Sequence, residues 1–190
     1  MKKLRIIYED KYLIIVNKPT GEFTISRDNH YDNNLYDEVK TYVKKQNPKN
    51  KIFIVHRLDK DTSGLVLFAK SEKVKYDLQR NWQNVERKYY AVVFGKPNEK
   101  IGKLAITNFD VIESNNKYSL LDINIETGRR NQIRVQLANI GHPILGDKKY
   151  GKVKYKRMML EAYYLKFVHP ITKKICYAEL PLNNDFKKLF

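Results

Sequence analysis

Apolar positions along the chain fall mostly in short runs broken by charged or turn-forming residues, the signature of strands. Two such runs, Leu4 to Tyr8 and Tyr12 to Val16, flank the turn Glu9-Asp10-Lys11 and are closed by Pro19 and Gly21, which predicts a hairpin. From Leu35 to Lys45 the spacing changes: Leu35, Val39, Tyr42 and Val43 form a helical stripe that ends at Asn47-Pro48. A strand over Ile52 to Val55 leads into a polar loop, and Leu65 to Ala69 reads as a buried strand. Ser71 is placed to cap a helix running to about Trp82. Tyr89 to Phe94, about Leu104 to Ile112, and Tyr118 to Ile125 are rich in β-branched and aromatic residues. Arg130 to Ile140 returns to helical spacing and is stopped by Gly141, and strands over Leu160 to Val168 and Ile175 to Leu180 close the chain.

Strands and helices mix without regular βαβ alternation, so the pattern predicts an α+β fold around a largely antiparallel mixed β-sheet with flanking helices and loops. A chain of 190 residues, 42% hydrophobic, has the size of one domain, and we read residues 1–190 as a single unit without repeats or linkers.

Charge narrows the choice of partners. Lys and Arg outnumber Asp and Glu by 37 to 21, a formal charge of +16, which suits RNA, DNA or an anionic membrane. Fourteen Tyr, eight Phe and one Trp supply flat faces for unstacked bases, although most aromatic residues in any domain are core. No segment reaches the roughly 20 apolar residues of a membrane span, and charges interrupt the N-terminal apolar runs before a signal core forms. Cys176 is the sole cysteine, so an intramolecular disulfide and a CxxC zinc site are excluded, and a reducing, cytoplasmic setting fits. His30, His142 and His169 are scattered, and we assign them no metal. Walker-type and Rossmann glycine patterns are missing.

The densest chemistry lies in Val55-His56-Arg57-Leu58-Asp59-Lys60-Asp61-Thr62-Ser63-Gly64-Leu65, a charged loop between apolar strands. A carboxylate at Asp59 beside Arg57 has its ionised form favoured and is suited to act as a nucleophile. The same residues also suit an ordinary turn, with Asp61, Thr62 and Ser63 bonding locally and Gly64 allowing a positive φ.

HRLDKDTSGL resembles the HRLDxxTSG signature of the RluA-type pseudouridine synthases. Further segments are similar to that family in the same order: EDKYLIIVNKPTG from Glu9, RKYYAVVFG from Arg87, TGRRNQIRVQLANIGHPILGDKKYG from Thr127, and LEAYYLKFVHPIT from Leu160. The resemblance implies a pseudouridine-synthase-like catalytic domain that isomerises uridine in structured ribosomal or transfer RNA, as a monomer without metal or cofactor. It implies Asp59 as the nucleophile, Tyr89 as the ring that stacks on the target base, and Arg134 as the partner of Asp59. Arg57, His56, Arg129 and Gln132 are implied to bind substrate. It also implies that no separate RNA-binding domain is appended.

Three positions depart from the family pattern. Asn131 and Gln136 stand where the third motif has His, and Glu161 stands where the closing strand commonly has His. Asn and Gln still donate hydrogen bonds, so these changes bear on RNA specificity or on how the helix is buttressed. Asp147 reads as a turn former. The competing readings are a non-catalytic RNA-binding or RNA-folding protein and, more remotely, a DNA-binding protein, for which no helix-turn-helix or zinc-finger pattern is found.

Overall fold

The computed structural model describes residues 4–26, 34–97 and 107–190. The backbone gathers into two compact units, Met1–Val85 with Lys166–Ala178, and Glu86–Leu165 with Glu179–Phe190.

In the first unit, β1 (Ile6–Glu9) and β2 (Leu13–Lys18) form the expected hairpin. α1 (Leu35–Gln46) follows, then β3 (Phe53–Ile54), β4 (Ser63–Ala69), α2 (Glu72–Arg80) and a short 3-10 turn over Trp82–Asn84. β2 and β3 both pair antiparallel with β4, which is buried along its whole length. Asn34 caps α1 by accepting from the Asp37 N–H, and Ser71 caps α2 by accepting from the Val74 N–H, each satisfying a donor the helix leaves open. The apolar stripe of α1, Leu35, Val39 and Val43, packs with Ile14, Val16, Ile52, Val66 and Phe68 into one core.

The second unit contains β5 (Glu86–Phe94), β6 (Thr107–Ser114), β7 (Tyr118–Ile125) and α3 (Gln132–Asn139). β8 (Leu160–Val168) carries the chain from this unit to the first, β9 (Ile175–Glu179) brings it back, and α4 (Asn184–Lys187) ends it. β7 pairs antiparallel with β5 on one side and β6 on the other. Ala91, Val93, Leu121 and Ile123 pack with Ile133 and Leu137 of α3 and with Phe186 of α4 into a second core. The strand expected from about Leu104 is seen from Thr107, and residues 104–106 lie outside the described residues. Helix α3 starts later than Arg130 because Asn131 takes a left-handed conformation, φ 55 and ψ 22. The α+β class and the largely antiparallel pairing agree with the sequence pattern.

Two devices hold the first unit's loops. Lys18 ends β2 with its side chain fully buried, and its Nζ donates to the carbonyl oxygens of Pro19 (2.9 Å), Glu22 (2.7 Å) and Lys60 (3.0 Å). A buried ammonium is tolerated only when its protons are satisfied in this way. The neighbouring residues add to the grip: the Gly21 N–H donates to the Lys60 carbonyl (2.9 Å) and Thr20 Oγ1 to the Asp61 carbonyl (2.7 Å). Thr24 Oγ1 takes both sides of Leu58, accepting from its N–H (3.1 Å) and donating to its carbonyl (3.0 Å). The backbone is therefore fastened on both flanks of Asp59.

Asp10, in the β1–β2 turn, is the second device. Its Oδ1 accepts from the N–H groups of Tyr12 (2.7 Å) and Leu13 (2.8 Å), while Oδ2 accepts from the Tyr8 hydroxyl (3.0 Å) and lies 2.9 Å from His169 Nε2. His169 Nδ1 accepts from the N–H groups of Ile171 and Thr172, so the ring proton sits on Nε2 and points at Asp10. Burial pushes the Asp10 carboxyl up, but the two backbone donors, Tyr8 and His169 outweigh it and hold the group below its ordinary value. Burial and the adjacent carboxylate push the Tyr8 phenol up to about 12.

Replacing Lys18 by Met leaves the Pro19 and Glu22 carbonyls without their buried donor, with an expected loss of about 3 kcal/mol of stability, read as a lower midpoint in urea unfolding. Asp10 binds its proton less readily folded than unfolded, so its stabilisation is present above pH ~4 and is lost as pH falls through the lower folded value. Asp10→Asn is therefore expected to be less stable by roughly 1–2 kcal/mol at pH 7 and to show a flatter decline on acidification. Thermal melts from pH 7 down to pH 2 check this, and parallel declines for the two proteins would contradict it.

Candidate active site

His56, Arg57 and Asp59 lie on the loop between β3 and β4 of the first unit. Arg57 is exposed and Asp59 half-buried, and the Asp59 carbonyl accepts from the Thr62 N–H at 3.2 Å, which turns the loop back into β4. The His56 ring stacks on Trp82 with centroids 4.6 Å apart. Its Nε2 accepts from the Leu67 N–H at 3.0 Å, so the imidazole joins the loop's start to β4 and leaves its proton on Nδ1. That geometry gives His56 a part in shaping the loop.

Tyr89, Arg129, Gln132 and Arg134 belong to the second unit. Tyr89 lies in β5, opposite Ile123 of β7, partly buried against the core. Two residues earlier, Arg87 is buried, donates from Nη2 to the Glu126 carbonyl (2.9 Å), and has its pKa drawn down by burial. It thereby fixes the entry to the turn that carries Thr127, Gly128 and Arg129. Arg129 is exposed, and its N–H donates to Gln132 Oε1 at 3.1 Å. Gln132 is buried: Oε1 also accepts from Thr127 Oγ1 (2.8 Å), and Nε2 donates to Thr107 Oγ1 (2.9 Å). Gln132 thus closes the turn at the N-terminus of α3, where Asn131 makes no side-chain cap.

Arg134 is buried on α3, and its Nε and Nη2 donate to the two oxygens of Asp147 at 2.7 and 2.9 Å. This fork-to-fork geometry is the strong form of a guanidinium–carboxylate pair. Asp147 is also a turn former, as its sequence context suggested, because Oδ1 accepts from the N–H groups of Lys149 and Tyr150. Burial pushes its carboxyl up, but Arg134 and those two N–H groups bring it below the ordinary range, so it stays charged opposite the guanidinium. The chain reaches this turn only because residue 146 is Gly: a Cβ there would lie 2.1 Å from the Arg157 carbonyl oxygen.

Sequence reasoning missed Asp147 as an ion-pair partner, although a signal was there. Between Glu126 and Glu161 it is the only carboxylate among nine Lys and Arg. Lys18, Arg87 and Tyr150 were also missed, because their roles are set by backbone atoms or by packing. His142 Nδ1 donates to the Phe94 carbonyl (2.6 Å), and His30 lies outside the described residues. Among the described residues, no group of three or more His, Cys, Asp or Glu could hold a metal ion, and no helix is long and apolar enough to cross a membrane.

Residues 12–139 match the family model described as RNA pseudouridylate synthase. The chain is 33% identical to the ribosomal large subunit pseudouridine synthase D of Nitrosomonas europaea, an alignment covering 98% of this chain and 64% of that protein. It is 34% identical to the uncharacterized RNA pseudouridine synthase YhcT of Bacillus subtilis, covering 98% and 71%. The chain thus spans about two thirds of the length of these relatives. The solved structure of human RNA pseudouridylate synthase domain containing 4 superposes with a TM-score of 0.79 at 21% identity, over 96% of this chain and 90% of that one, and shares the fold. With the HRLD loop, the β5 tyrosine and the α3 arginine all inside the matched span, the chain belongs to the RNA pseudouridylate synthase family.

Proposed function

We propose that the chain converts uridine to pseudouridine in structured RNA, with Asp59 as the catalytic nucleophile. The observation that carries this reading is the fastening of the backbone on both sides of Asp59 by Lys18, Gly21, Thr20 and Thr24. A carboxylate held on a fixed loop suits a reaction whose rate depends on placement, since a well-oriented group avoids the ordering cost at each turnover.

The isomerisation breaks the bond between the ribose C1′ and uracil N1 and joins C1′ to C5. The C5 proton leaves and N1 gains one, so neither an oxidant nor ATP is needed. The target base must first leave its stack, at a cost of a few kcal/mol. In this reading Tyr89 offers its ring to the extruded base and Arg134 supplies the counter-charge to Asp59. Arg57 and Arg129, both exposed, contact the phosphate backbone. His56 and Gln132 act on substrate through the loop and turn they shape. The formal charge of +16 supports an RNA partner. The names of several relatives favour large-subunit ribosomal RNA as the first substrate to try. The enzyme works as a monomer in the cytoplasm, with neither metal nor cofactor.

Asp59→Asn is expected to lower turnover by on the order of 1,000-fold or more while changing the RNA Kd by less than about threefold. Carbodiimide mapping of pseudouridine in ribosomal RNA, alongside filter binding, measures both, and near-normal product from the mutant would remove Asp59 from its role. Raising salt from 50 to 200 mM should weaken RNA binding by roughly 10³-fold or more if six or more phosphates are contacted.

A further inference from the structure

Asn131 stands where the resembled motif carries His, and the structure gives its side chain two bonds. Oδ1 accepts from Arg134 Nη1 at 3.1 Å, and Nδ2 donates to the Tyr150 hydroxyl at 3.1 Å. A guanidinium only donates, so the amide orientation is fixed by its partners. The Tyr150 ring in turn lies with its centroid 5.2 Å from Arg134 Cζ and 5.0 Å from Lys149 Nζ, within the range of cation–π attraction. Lys149, then Asn131 and Arg134, draw the Tyr150 phenol below its ordinary value. Asp147 holds one edge of the guanidinium, Asn131 one end and Tyr150 a face.

Backbone geometry makes the choice of residue informative. Asn131 has φ 55, a left-handed conformation that few side chains adopt and in which Asn, Asp and His are enriched. Strain of this kind persists where the surroundings demand it. Here it directs the residue-131 amide back over the first turn of α3 toward Arg134.

We infer that Asn131, with Tyr150, is a positioning residue that holds the Arg134 guanidinium in one orientation for catalysis. The inference rests on the proposed role of Arg134 as counter-charge to Asp59. Asn131 touches no reacting atom in this scheme and acts through Arg134.

Four variants test it, assayed by tritium release from ribosomal RNA labelled with 5-tritiated uridine in a strain lacking the gene. Asn131→Gly keeps the φ and removes both bonds, so it should melt within about 3 °C of the parent. Its kcat should fall roughly tenfold with KM changed less than about twofold, because the lost contact matters for the chemical step rather than for binding. Asn131→His, which retains a ring acceptor and donor, should recover most of kcat, and Tyr150→Phe should lose about two- to threefold. Arg134→Lys separates the two levels of the argument. If it collapses activity while melting within about 3 °C of the parent, and Asn131→Gly matches the parent in kcat, the positioning role is wrong and the reading of Arg134 stands. If Arg134→Lys is itself fully active, the role of Arg134 fails and the positioning role falls with it.

Discussion

A buried guanidinium must have its donors matched, and in the second unit Asp147, Asn131 and Tyr150 answer that requirement for Arg134. Removing two charges from water costs several kcal/mol per ion, and only a well-aligned pair with further hydrogen bonds offsets it. Asp147 meets Arg134 with both oxygens and is itself held by two backbone N–H groups. That arrangement requires the turn at Asp147, which requires Gly146 where Arg157 passes. It also requires the first turn of α3, which Gln132 ties to Thr127 and Thr107. Deleting one partner of such a pair typically costs about 3–5 kcal/mol, because the other charge is left buried and alone.

The first unit meets a related demand with backbone carbonyl oxygens. Lys18 is fully buried, and three carbonyl oxygens take the protons of its ammonium. One of those carbonyls belongs to Lys60, next to Asp59. Placing a costly buried charge there ties the conformation of the Asp59 loop to the stability of the strand that carries Lys18. A loosening of the loop would expose an unmet ammonium, so the loop is held by a penalty as well as by bonds. The Thr24 clasp on Leu58 acts in the same sense.

Much of the fold was legible because local pattern and tertiary demand coincide. The bounds Tyr118–Ile125 and Leu160–Val168 agree to the residue, α1 begins at Leu35 as its stripe predicts, and α2 begins after its expected cap, Ser71. Errors arose where a partner set the boundary. β3 shrinks to Phe53–Ile54 because its ladder meets β4 only at Ala69 and Phe68. β5 extends back to Glu86, taking in charged residues that no apolar pattern assigns to a strand. The expected helix to Trp82 ends at Arg80, and Trp82 instead enters a 3-10 turn with its ring against His56. At the site, the HRLD loop was visible as a string of residue types. The grip of Lys18 on it was not, since carbonyl oxygens carry no sequence signal.

The three departures from the family motif each have a polar partner within the protein. Asn131 bonds Arg134 and Tyr150, and Gln136 Oε1 accepts from Thr107 Oγ1 at 2.6 Å. Glu161 is buried, with Oε1 3.5 Å from Asn183 Nδ2. Each replacement is therefore engaged with protein groups, in the layer that supports α3 or the closing strand. Gln132 is engaged likewise, with Thr127, Arg129 and Thr107. Side chains committed to internal partners have few donors left for reading bases, which directs the search for RNA specificity to the exposed cations Arg57, Arg129 and Arg130. Cations of that kind register the backbone path of a folded RNA more than the identity of its bases.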